Sequence, residues 1–82
     1  MKRKDRYIRD ESKLIAFGNR LRFLRKERGM TMQELADLTN IEYSQISRIE
    51  RGLLNTSLSV VFELSVALDV SPEVLFQTTP LD

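Results

Sequence analysis

Eighty-two residues make one small domain, of a size that suits a helical bundle better than an enzyme with a deep cleft. The absence of cysteine excludes disulfides and thiolate metal sites, and the lack of an apolar run near the roughly 20 residues of a membrane span, or of a signal-like start, sets the expectation of a soluble cytoplasmic protein with no membrane partner. Net charge is only +1, but residues 1–30 hold eleven Lys or Arg against four Asp or Glu, while residues 31–82 hold two against eight; the basic half can follow a phosphate backbone or can simply be a solvated helix and tail.

Residues 1–9 carry Lys2, Arg3, Lys4, Arg6 and Arg9 and read as a basic arm or helix extension. Residues 10–77 read as the folded domain and 78–82 as a short tail. Throughout the domain the apolar spacing is helical and nothing alternates as a strand does, so the predicted class is all-α. The first helix is expected over about Asp10 to Arg28, with Leu14, Phe17, Leu21 and Leu24 as its apolar stripe. Gly29 stops it where a positive φ is needed. Thr31 opens the second helix, completing a capping box with Glu34, while Met30 and Leu35 stand at the staple positions. That helix is expected to end near Thr39, with Asn40 taking a left-handed conformation.

The third helix is expected from Glu42 to Arg51, closed by Gly52. The fourth follows Asn55-Thr56-Ser57, with Ser57 as cap and Leu58, Val61, Leu64 and Leu68 turned inward. The fifth is short: Ser71 caps it, Pro72 takes the first helical position, and Glu73 complements the positive helix end. Five helices in one compact domain is the expected architecture.

Two short helices meeting across Thr39-Asn40-Ile41 have helix-turn-helix spacing, with Ala36 small enough for a close crossing and Ile41, Ile46 and Ile49 as anchors. With Ile46 at zero on a helical wheel, Ile49 and Glu50 flank the core direction. Ser44, Arg48 and Arg51 fall at about 160°, 200° and 140°, opposite the core, and Ser47 lies at the edge near about 100°. Ser44 and Arg48, one turn apart, can read neighbouring bases, Arg being the commonest reader of guanine. On spacing alone, a solvated helix face accounts for these residues equally well.

The run Gly29-Met30-Thr31-Met32-Gln33-Glu34-Leu35-Ala36, then Ile46-Ser47-Arg48-Ile49-Glu50-Arg51-Gly52, resembles the phage-repressor and Cro-type helix-turn-helix family. The later run Leu58 to Phe76, with Ala67-Leu68-Asp69-Val70-Ser71-Pro72, resembles that family's last two helices. The resemblance, covering roughly Phe17 to Phe76, implies a lambda-repressor-like fold and a sequence-specific transcription regulator that binds double-stranded DNA as a homodimer on a palindromic operator. It implies that Tyr43, Ser44, Ser47 and Arg48 face bases and that Gln33, Asn55 and the helix starts near Thr31 and Ser57 face phosphates, with Arg51 expected to join them. It also pairs Arg25 with Glu50 in a buried ion pair. Three positions depart from the family pattern. Met32 stands where a glutamine is common, Glu42 where Ser or Thr usually opens the third helix, and Leu53-Leu54 where basic residues commonly follow Gly52.

With no His or Cys and no glycine-rich phosphate loop, no catalytic site, cofactor or metal is expected. The rival is a protein-interaction module on the same scaffold, favoured by the acidic second half and bare leucines and opposed by the outward Arg48 and Arg51. Within DNA binding, a stand-alone repressor, a restriction–modification controller and an antitoxin remain alternatives, with a toxin or polymerase as protein partner. The expected dimer surface is Phe62, Val66, Val70, Val74 and Phe76, because contiguous apolar surface on a small protein marks a contact.

Overall fold

Local capping chemistry divides the chain into α1 (Glu11–Glu27), α2 (Met32–Asp37), α3 (Tyr43–Glu50), α4 (Leu58–Leu68) and α5 (Pro72–Leu75) in the computed structural model, which describes residues 8–77. Most of the proposed basic arm, residues 1–7, and the tail, residues 78–82, lie outside the described residues. The Asp10 carboxylate accepts the Lys13 N–H at 3.1 Å and so caps α1. At the other end Gly29 adopts φ 69°, letting the Met30 N–H reach the Arg25 carbonyl at 3.1 Å. The Thr31–Glu34 capping box forms with both bonds in place, and the Ser57 hydroxyl accepts the Val60 N–H. Gly52 repeats the left-handed stop after α3, at φ 74°.

The core joins Phe17, Leu21 and Leu24 of α1 to Leu35, Ile41, Ile46 and Ile49 of the α2–α3 unit, and to Val61, Leu64, Leu68 and Leu75 of the last two helices. α1 packs on α3 and α5, α2 on α3, and α4 on α5. This is the expected all-α, five-helix architecture, with the helix-turn-helix at α2 and α3.

Several local expectations are corrected. α2 ends at Asp37, because the Thr39 hydroxyl donates to the Leu35 and Ala36 carbonyls and accepts the Ile41 N–H, closing the turn. Asn40 is not left-handed; its N–H and side-chain amide both donate to the Glu63 carboxylate, at 2.9 and 3.2 Å, which fixes the turn against α4. The left-handed non-glycine among the described residues is instead Asp69, at φ 57°, closing α4 with the Val70 N–H bonded to the Ser65 carbonyl. Leu58 is 67% exposed: side chains lean towards a helix N-terminus, and at the first position that direction carries Leu58 past the edge of the core. Its place on the inner face is taken by Ser65, whose hydroxyl donates to the Phe62 carbonyl. Val60, the third residue of α4, also packs against the core. Ser71 precedes α5, but its hydroxyl makes no capping bond.

Candidate nucleic-acid interface

α3 is held rigidly on its inner side. Ile46 and Ile49 are buried, and Glu50 is 3% exposed beside Arg25 at 7%. The Arg25 guanidinium donates to both Glu50 oxygens, Nε to Oε2 at 2.6 Å and Nη2 to Oε1 at 3.0 Å, and its Nη1 donates to the Met30 carbonyl at 2.8 Å. That fork-to-fork pair links α1, the start of α2 and the end of α3. The Glu50 hydrogen bond holds Arg25 still further towards its charged form, against the opposing cost of burial. Arg22, half-exposed, adds a second cation 3.6 Å from Glu50 Oε1. Gly18 completes the arrangement. A Cβ there would lie 2.4 Å from the Ile49 carbonyl oxygen and 2.6 Å from that of Glu50, so the α1 backbone lies directly on the α3 backbone.

The opposite side of α3 faces outward. Ser44, Arg48 and Arg51 are exposed and Ser47 is half-buried at the edge, in the order the helical wheel predicts, and Tyr43, placed by the family resemblance, is exposed too. The Arg51 Nε donates to the Ser47 carbonyl at 3.3 Å. The Arg48 side chain has no hydrogen bond or ion pair among the described residues. Glu42 precedes α3 without a side-chain capping bond, so the first N–H groups of that helix remain open. Beside Tyr43 a shallow groove of about 620 Å³ is lined by Lys26, Gly29, Thr31 and Gln33, bringing the end of α1 and the start of α2 next to the recognition face.

The other candidates are placed less uniformly. The Gln33 amide donates one N–H to Asp37 Oδ1 at 2.9 Å, which leaves its second N–H to reach a phosphate. The Asn55 amide donates to the Ile8 carbonyl at 3.3 Å. Thr31 and Ser57 use their oxygens as helix caps, which leaves each hydroxyl hydrogen free to donate outward. Among the described residues, several cations of the first half are engaged within the fold: Arg9 bonds Glu11 and the Leu53 carbonyl, Arg20 the Val74 carbonyl, and Arg28 the Asp69 carbonyl. Sequence reasoning missed Gly18, Arg22, Lys26 and the Asn40–Glu63 clasp. A glycine inside an otherwise strong helical pattern was the one available signal, at Gly18.

The five residues expected to form a dimer surface do not share one patch. Val70 and Val74 are partly buried against the core. Phe76 stacks on Phe17 with ring centroids 5.5 Å apart and lines an apolar groove with Ile8, Leu54 and Leu58. Phe62 and Val66 line a different groove, beside Leu38 and the helix-turn-helix turn.

The family pattern described as HTH_3, helix-turn-helix, matches residues 21–75, and the chain belongs to this family of sequence-specific DNA-binding regulators. It is 39% identical over 59 residues to the HTH-type transcriptional regulator SinR of Bacillus subtilis (strain 168), covering 71% of this chain and 53% of that one. The chain thus spans about half the length of that relative. Among solved structures, the restriction-modification controller protein C.AhdI from Aeromonas hydrophila is similar at 40% identity and TM-score 0.78, over 79% of this chain and 98% of that one. The restriction-modification controller C.Esp1396I, solved as a tetramer with its natural 35 base-pair operator, is similar at 29% identity and TM-score 0.75, over 83% and 90% of the two chains. Among the described residues no helix is long and apolar enough to cross a membrane.

Proposed function

We propose that the chain regulates transcription by binding a two-fold-symmetric duplex operator as a homodimer, with α3 in the major groove. The observation that carries this reading is the exposed Ser44–Arg48 edge, one side of a helix whose other side is immobilised by the Arg25–Glu50 pair and the Gly18 contact. Base readout needs donors held in register, and here the supports are buried while the readers are free. Tyr43, Ser44, Ser47 and Arg48 face the bases. Arg51, Gln33, Asn55, Thr31 and Ser57 face the phosphates, which fix register without reading sequence. The C.Esp1396I structure, an oligomer on its operator, supports the same mode for this relative.

The two-fold contact is best served by the groove of Ile8, Leu54, Leu58 and Phe76, about 590 Å³. Asp10 and Lys13 flank it, one charge of each sign, so the flanks carry no net charge to repel a second copy. Such a dimer would present two copies of α3 about 34 Å apart, one turn of DNA.

Duplexes selected from a random pool supply the operator for the test. Arg48→Ala is expected to lose about 1–3 kcal/mol and relax preference at one base of each half-site, whereas Arg51→Ala weakens all sequences alike. Arg48→Ala binding with unchanged affinity and preference would remove α3 as the reader. Leu58→Glu, a change on an exposed side chain, is expected to sediment as a folded monomer with weak operator binding.

A further inference from the structure

The groove lined by Leu38, Phe62 and Val66 takes no part in the DNA face or in the proposed two-fold contact. It is about 460 Å³ in volume and runs between the end of α2 and the middle of α4, where Thr39, Asn40 and Ala67 complete its lining beside the carboxylates of Asp37 and Glu63. The three large apolar side chains are 61%, 53% and 80% exposed. Contiguous apolar surface of this kind is costly in water unless something covers it. Both carboxylates are held in place. Glu63 accepts two hydrogen bonds from Asn40, and Asp37 accepts one from Gln33.

Charge decides what can cover the groove. Residues 32–41 and 58–68, the elements that build it, contain Glu34, Asp37 and Glu63 and no Lys or Arg. A second copy seated here about a two-fold axis would set these carboxylates against themselves, and DNA would meet like charge. The basic arm of another copy supplies cations in Lys2, Arg3, Lys4, Arg6 and Arg9, but its apolar groups are only Met1, Tyr7 and Ile8, and Ile8 lines the other groove. A trough between two helices lined by large apolar side chains and two carboxylates, with no cation, is complementary to an amphipathic helix whose apolar stripe is bordered by Lys or Arg. We propose that this groove is a docking site for a basic amphipathic helix of a partner protein, engaged while the recognition face holds DNA.

The test uses the full chain, isotopically labelled, and two synthetic helical peptides that share one leucine stripe. One is bordered by lysines and the other by glutamates. The lysine peptide is expected to bind saturably, with amide shifts centred on Leu38, Asn40, Phe62 and Val66, and at least about tenfold more tightly than the glutamate peptide. The double variant Leu38→Ser, Val66→Ser alters exposed positions only and is expected to weaken that binding by at least about tenfold while operator affinity stays unchanged. Equal affinity for the two peptides, shifts on another face, or no saturable binding overturns the proposal. So does tighter binding of a peptide of residues 1–9 at this groove, or self-association of the wild type that the double variant abolishes. Since the operator measurement is separate, failure here leaves the DNA-binding reading standing, and failure of that reading leaves this one to its own data.

Discussion

Replacing Gly18 with alanine sets two effects of opposite sign against each other. Alanine is the better helix former by about 1 kcal/mol, so on propensity alone the change should stabilise α1. The new Cβ, however, would sit 2.4 Å from the Ile49 oxygen, 2.6 Å from the Glu50 oxygen and 2.9 Å from the Glu50 carbonyl carbon. These are backbone atoms and cannot rotate away, so α1 and α3 must separate by about 1 Å to restore ordinary contact. Overpacking of this severity costs about 3 kcal/mol, at the upper end of the usual range. The net expectation is a loss of about 2 kcal/mol, or a fall in Tm of about 8–16 °C for a domain of this size. The Arg25–Glu50 bond of 2.6 Å spans the same interface, so operator affinity should fall with stability. Urea unfolding followed by helical circular dichroism measures the first effect, and a gel-shift titration below the unfolding transition measures the second. Gly29→Ala is the control: it has open space around its Cβ and suffers only from φ 69°, a penalty of about 1 kcal/mol. A Gly18→Ala protein as stable as the wild type would refute the claim that this glycine sets the seat of the recognition helix.

Glu50→Ala is expected to cost about 3–5 kcal/mol in urea unfolding, because Arg25 is left charged and buried; a loss below about half a kcal/mol would mean that the pair is solvated in solution. Asp69→Gly is expected to stabilise by about 0.5 kcal/mol, relief of left-handed strain at φ 57° outweighing the added freedom of the unfolded chain, and a thermal melt that falls would count against it. The Lys13 N–H, with help from the Ser12 hydroxyl, holds the Asp10 carboxyl below its ordinary value of 3.8. The charged cap therefore contributes fully above that value and is lost as pH falls through the depressed one. The stability advantage of wild type over Asp10→Asn should shrink as pH is lowered from about 5 to 2, and an advantage independent of pH would exclude an ionised cap.

The polarity of charge along the chain takes on a different meaning once the fold is known. A surplus of cations in the first thirty residues suggests a backbone-binding half, yet Arg20, Arg25 and Arg28 hold carbonyls and a carboxylate of later elements. They tie α1 to the start of α2, the end of α3 and the α4–α5 corner. Arg48 and Arg51 of α3 remain exposed, and Lys26 lines the groove beside Tyr43.

Features governed by neighbours a few residues away were legible in the sequence. The Thr31–Glu34 capping box, the stops at Gly29 and Gly52 and the Ser57 cap each depend on local backbone geometry, and each is present; of the expected 3.6-residue stripe of α1, Phe17, Leu21 and Leu24 enter the core while Leu14 is half-buried outside it. The same periodicity turned Ser44, Arg48 and Arg51 outward and Ile46 and Glu50 inward, because a helix of known phase has fixed faces. Pattern could not decide how far the core extends over a helix end, so Leu58 was expected inside and lies outside. Nor could it locate the partner of Asn40, which sits 23 residues away at Glu63 and replaces a left-handed turn with two hydrogen bonds. The apolar residues of α4 and α5 looked like one surface because they recur at helical spacing. Only packing against Phe17, the core and the helix-turn-helix turn separates them into two grooves and a buried seam. Gly18 shows the same division: its tolerance in a helix is a local property, while the need for it arises from a backbone some thirty residues further along the chain.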